Sequence, residues 1–261
     1  MFRRVSPDKL AAFGLFGFAL AICIYSQTHT VIDSPIRGDA AQYLRIAINL
    51  LQHHTYSSAD PASVSIWPDS YRTPGYPAFL AALLWLTGGS IVRTYASVLL
   101  LQALMVATTV SLAFSLGRFF LRFGYALGAA LLLALWPMSV VQSSYLLTES
   151  LFGLLLMLAL WLECRAWRTA SLVTHATAGL AFGVAALVNP VIVLFPLLLA
   201  VVMLVRREMA QALLFLAFAL MPTISWQVRN AQLPAAMAGS SEGHRLAENI
   251  LIGMSPDIKR Y

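Results

Sequence analysis

Between Ile36 and Pro77 the chain gathers groups able to move a proton and hold a phosphate. IRGDAAQYLRIAINLLQHHTYS is followed by a polar connector and then by YRTPGYPAF. Asp39 offers a carboxylate that can take a proton from an attacking hydroxyl or amine. Arg72 offers a planar fork that matches two phosphate oxygens. Arg37, Tyr43 and Tyr76 stand close by in sequence, and Arg229 is a further cation near the end of the chain. In Arg72-Thr-Pro-Gly-Tyr-Pro77 two prolines fix φ and the glycine permits close approach, so the arginine sits on a stiff turn. This is the chemistry expected where a lipid-linked phosphate meets a polar substrate. Glu149, in LLTESLFGLLL, is a second acid, at the mouth of an apolar run, where ionisable residues are functional candidates.

Each of these residues also has a plainer reading. Asp39 opens an amphipathic helix and can cap it, with Gln42 three residues on in the capping-box position. Ala40, Leu44, Ala47, Ile48 and Leu51 form one stripe of that helix, and Gln42, Arg45, Asn49 and Gln52 another. Such a helix lies flat at a membrane interface. The turn at Arg72 can simply start the next helix. Thr148 can cap the helix that Glu149 begins, where a carboxylate also suits the helix dipole. Asn189-Pro190 reads as a tight turn. His53 and His54 are adjacent on one helix and point apart. With Asp60 and Asp69 they give no zinc spacing, so no metal or other cofactor is expected, although a divalent ion is compatible with the chemistry. No glycine-rich phosphate loop points to a nucleotide.

The elements that must position these groups are membrane helices. Hydrophobic residues make up 59% of the chain and charged residues 11%, with a mean hydropathy of +0.76. A soluble domain carries about 25% charged residues. Surface that cannot be covered with charge must face lipid or protein, and the chain reads as an all-α integral membrane protein. Seven spans are expected, at roughly Leu10–Tyr25, Ile91–Leu116, Tyr125–Val141, Glu149–Cys164, Leu172–Val188, Val191–Val205 and Ala210–Val228. The stretch Tyr76–Leu86 opens with Pro-Gly-Tyr-Pro and is read as a short re-entrant or interfacial helix. The first span has a basic flank and no cleavage site after it, which favours a retained anchor.

Arg3, Arg4 and Lys9 precede the first span, and Arg118/Arg122, Arg165/Arg168 and Arg206/Arg207 follow the second, fourth and sixth. Seven spans put all of them on one side, which the positive-inside rule makes cytoplasmic. The loop over residues 27–90, the 142–149 turn, the 189–190 turn and the 229–261 tail then share the extracytoplasmic side of one polytopic domain. The net charge of +6 follows from this topology and does not indicate nucleic acid. Cys23 and Cys164 lie near opposite ends of two spans and are not expected to pair.

In order along the chain, RGDAAQYL with AINLLQ, RTPGYPAFLA, LLTESLF, AGLAFGVAALVNP, and WQVRN followed by AENILIGMSP resemble the glycosyltransferase type C superfamily. The nearest branch is the bacterial one similar to dolichyl-phosphate-mannose protein mannosyltransferases and lipid A aminoarabinose transferases. The resemblance implies a helical bundle in the cell (inner) membrane with a large first outward loop. It implies a polyprenyl-phosphate-linked sugar as donor and a glycan, lipid or protein as acceptor. Asp39 would be the base of an inverting transfer, Arg72 and Tyr76 would border the donor phosphate, and Glu149 would face the acceptor or line the cavity. This chain has Asn189-Pro190 where many relatives have Arg-Pro, and it ends at Tyr261, where relatives continue through further spans. The tail therefore reads as incomplete, which favours a rival reading as a non-catalytic or truncated membrane subunit. A lipid-linked-sugar transporter would be marked by mid-membrane charges and inverted repeats, which the sequence does not display.

Overall fold

The computed structural model describes residues 6–30, 36 and 38–234. Among these residues there are ten α-helices, one 3-10 turn and no strand. The helices are α1 (Pro7–His29), α2 (Asp39–His53), α3 (Gly75–Leu86), α4 (Ile91–Gly117), α5 (Phe123–Ala134), α6 (Pro137–Gln142), α7 (Glu149–Thr169), α8 (Leu172–Val188), α9 (Phe195–Val205) and α10 (Met209–Ala231). The 3-10 turn Pro190–Ile192 joins α8 to α9.

Four helices, α1, α4, α7 and α10, are long and apolar enough to cross a membrane. The other apolar helices are shorter, and prolines explain two of the breaks. The expected single span Tyr125–Val141 divides because a residue before proline avoids the helical region. Trp136 accordingly has φ −66° and ψ 112°, α5 ends at Ala134, and α6 restarts with Pro137 in its first turn. Asn189, ahead of Pro190, is likewise extended at φ −142° and ψ 113°, which ends α8.

Two helix groups share α4 and α7. α4 packs against α1 and α5, burying Leu15, Ala107, Val110, Phe114 and Ala126. α7 packs against α4 on one side and α8 on the other, and α8 packs against α10 around Ala178, Phe182 and Phe215. The α8–α10 approach needs glycine. A Cβ on Gly179 would lie 2.2 Å from the Phe215 carbonyl oxygen, and one on Gly183 would lie 2.5 Å from that of Ala219. Small residues four apart let membrane helices meet backbone to backbone. Near the arginine-bearing ends of these helices, His175 Nδ1 of α8 lies 2.9 Å from Glu163 Oε1 of α7, both buried.

The polar segments gather at the opposite end. Gln27, late in α1, donates to the carbonyls of Leu99 and Ser143, both at 3.0 Å. Gln102 of α4 donates to those of Ser143 and Tyr145, at 2.9 and 2.7 Å. The carbonyls of the 142–148 turn are thus tied to two helices. Thr73 donates to the Val188 carbonyl at 3.3 Å, and Arg229 donates to the Asp69 carbonyl.

Gly179→Val should cost ~1–3 kcal/mol or more, because the obstructing atoms are backbone and cannot swing away. Gly14→Ala, with open space around its Cβ, should be neutral. Thermal unfolding in detergent reads both, and a Gly179→Val protein as stable as the parent would contradict the close α8–α10 approach.

Candidate active site

The sequence places Asp39 at the start of α2, and the structure gives its carboxylate a different task from capping. The N-cap is Gly38, at φ 56°, and no side chain caps the helix. Arg72 Nη1 donates to Asp39 Oδ2 at 3.2 Å, and Nη2 makes a close contact with Oδ1. Gln42 turns to the same guanidinium, where its Oε1 accepts from Arg72 Nε at 2.7 Å. The capping-box reading of Asp39 and Gln42 therefore gives way to a helix face built around one arginine. Residues three apart on a helix share a face, so the two side chains can meet the same partner. The Tyr43 and Tyr71 rings each lie 5.3 Å from the guanidinium carbon.

Exposure divides the pair unequally. The Arg72 side chain is 10% exposed and that of Asp39 54%. The cation is thus embedded, whereas its anion faces solvent.

The connector that carries Arg72 is irregular but anchored near both of its ends. Tyr56 donates its hydroxyl to the Arg72 carbonyl at 2.8 Å. Asp69 Oδ2 accepts from the Ser58 amide at 2.6 Å and from the Ser58 hydroxyl. Asn49, expected on the polar stripe of α2, is instead fully buried; it donates to the carbonyls of Ser57 and Ala59 at 2.8 and 2.9 Å. Its amide clamps the connector to the helix. The Thr-Pro-Gly turn presses on the end of α8, since a Cβ on Gly75 would meet Val188 Cγ2 at 2.6 Å and the Leu187 carbonyl at 2.8 Å.

The other sequence candidates fall elsewhere. Tyr43 is buried and meets Tyr76 edge-on, with ring centroids 5.2 Å apart. Tyr76 is fully buried and donates to Gln102 Oε1 at 2.9 Å, so its phenol points into the core rather than beside the Arg72 fork. Arg229 is held by the connector through the Asp69 carbonyl and by the Tyr56 and Trp226 rings, at 5.3 and 4.8 Å from its guanidinium carbon. Glu149 lines a separate cleft of about 210 Å³ with Thr109, Ser139 and Gln142, and neither Asp39 nor Arg72 borders it. Thr148 makes no capping bond to α7. Arg37 lies outside the described residues. Asp60 Oδ1 accepts from the Ala62 amide at 2.9 Å. No group of three or more His, Cys, Asp or Glu that could hold a metal ion occurs among the described residues.

Sequence reasoning missed Gln102 and gave Gln42 and Asn49 other roles, as a cap and as polar-stripe residues. Gln102 had a visible signal, a lone amide inside LLLQALM. Gln42 and Asn49 had none, because their partners are 30 and 8–10 residues away. No protein-family model matches the chain, and no curated protein matches it in sequence.

Three of the five Arg72 N–H groups are thus engaged by Asp39 and Gln42. A double-mutant cycle of Asp39→Ala and Arg72→Ala should give a coupling energy of ~1–3 kcal/mol, as for residues sharing one network. Exposed ion pairs give only ~0.2–1 kcal/mol. Denaturant or thermal unfolding measures it, and a coupling below ~0.2 kcal/mol would mean that solvent screens the contact away.

Proposed function

We propose that the chain is a membrane glycosyltransferase of the type C kind, moving a sugar from a polyprenyl-phosphate donor to an acceptor by an inverting displacement. The observation that carries this reading is the Asp39–Arg72 pair, with Gln42 alongside, at the polar end of an apolar helical bundle. In the proposed mechanism the donor phosphate displaces Asp39 from the Arg72 fork. The freed carboxylate takes the proton from the acceptor hydroxyl or amine as that atom attacks the anomeric carbon. The bond from that carbon to the phosphate oxygen breaks, and Arg72 stabilises the negative charge gathering on the leaving phosphate. A phosphate leaves as an anion and needs no general acid, so one carboxylate suffices. Glu149, in its own cleft, fits the acceptor side better than the donor side.

The proposed topology has seven crossings, with the broken α5–α6 stretch, α8 and the Pro190–Val205 stretch completing the four long helices. The N-terminus is then cytoplasmic and the Asp39 site extracytoplasmic. A second reading, a non-catalytic membrane subunit, draws support from the engagement of the Arg72 fork by Asp39 and Gln42, which also suits a purely structural loop anchor.

Asp39→Asn separates these readings. Transfer of radiolabelled sugar from polyprenyl phosphate should fall on the order of 10²–10⁴-fold, with donor binding retained. Arg72→Lys should weaken donor binding despite the retained charge, because an ammonium cannot fork onto two oxygens. Wild-type turnover in Asp39→Asn would remove the base. Sidedness is read by thiol labelling in a Cys23→Ser, Cys164→Ser background. Val64→Cys, at a fully exposed loop position, should react with an impermeant reagent from outside, and Thr169→Cys should not. The reverse pattern would invert the topology.

A further inference from the structure

At the end of the bundle away from Asp39, the start of α1 and the ends of α4 and α7 enclose a cleft of about 330 Å³. Asp8, Lys9, Arg118, Phe119, Trp161 and Arg168 line it. Three cations against one acid leave two uncompensated positive charges.

Both arginines are held in place by protein. Arg118 Nε lies 3.3 Å from each Asp8 oxygen, and its Nη1 donates to the Leu121 carbonyl at 2.6 Å. Arg168 Nη2 donates to the Phe119 carbonyl at 2.8 Å, and its guanidinium carbon lies 4.3 Å from the Phe119 ring centre. Arg118 Nη2, Arg168 Nη1 and Nε, and the Lys9 ammonium have no partner among the described residues. The cleft thus presents positioned N–H groups in surplus over its own acceptors. Such a set recognises a tetrahedral oxyanion.

Its setting decides which oxyanion. The lining residues belong to the ends of three helices long and apolar enough to cross a membrane, which puts the cleft at headgroup depth. Next to them in sequence, Leu10 and Phe13 of α1 and Phe120 after α4 are 62%, 79% and 73% exposed. These side chains offer acyl chains an apolar surface. Basic pockets between membrane helices on the cytoplasmic side take anionic headgroups.

We propose that this cleft binds the phosphate of an anionic phospholipid, with its acyl chains along the exposed apolar side chains of α1. The site is independent of sugar transfer. Phosphatidylglycerol is the probe, with phosphatidylcholine and inorganic phosphate as comparisons. The purified full chain in detergent is titrated with each, and bound lipid is read by native mass spectrometry alongside thermal stability. Phosphatidylglycerol should bind at least tenfold tighter than phosphatidylcholine and raise the melting temperature. A basic residue near an anionic lipid is worth about fivefold in affinity, so Lys9→Gln should weaken phosphatidylglycerol by about that factor. Lys9 has no side-chain partner among the described residues, so this variant should fold normally. Adding Arg168→Gln should weaken binding further, and Arg93→Gln, at the other end of α4, should leave it unchanged. Equal affinity for both lipids, or an equal loss in Arg93→Gln, would overturn the proposal. Displacement of phosphatidylglycerol by millimolar inorganic phosphate would also overturn it, by assigning the cleft to a free anion.

Discussion

A guanidinium embedded at the polar end of an apolar bundle must have an anion beside it, and the arrangement around Arg72 follows from that need. An unpaired buried charge costs several kcal/mol. Arg72 sits on an irregular connector, so its partners come from α2, the nearest regular element. Asp39 and Gln42 supply them from one helix face, and Tyr43 and Tyr71 cover the guanidinium. The pair is asymmetric because only the cation is sheltered. Water already solvates part of Asp39, so releasing it costs less than exposing Arg72 would. An incoming phosphate can therefore replace the carboxylate without leaving the arginine unpaired. The proposed mechanism rests on this asymmetry.

Much of the helical framework was legible because apolar runs in a membrane chain have few other options. The apolar runs themselves, and a short separate helix after the Arg72 turn, could be read from residue order. Asp39 and Arg72 were each legible as chemical groups, but their pairing was not, since the residues are 33 apart and no periodicity links them. Local rules favoured the wrong partner for Asp39. The capping box needs only neighbours in sequence, whereas Arg72 reaches α2 through tertiary folding. Asn49 failed for the same reason: a polar residue on an amphipathic helix reads as solvated unless something covers it, and here the connector does. The break at Trp136-Pro137 was visible as a dipeptide and was outweighed by the hydropathy on either side.

The connector is also held from the helices beneath it. α8 ends against the Thr-Pro-Gly turn, and Arg229 and Trp226, in the last turns of α10, brace the connector from the other side. The positions of those two helix ends are set by how closely α8 and α10 approach along their length. Gly179 and Gly183 fix that distance, because in lipid there is no hydrophobic force to press helices together and backbone-level packing must do so. A side chain at either glycine would force the two backbones apart where they touch. The connector that carries Arg72 is thus held in part by two helices whose close approach needs glycine.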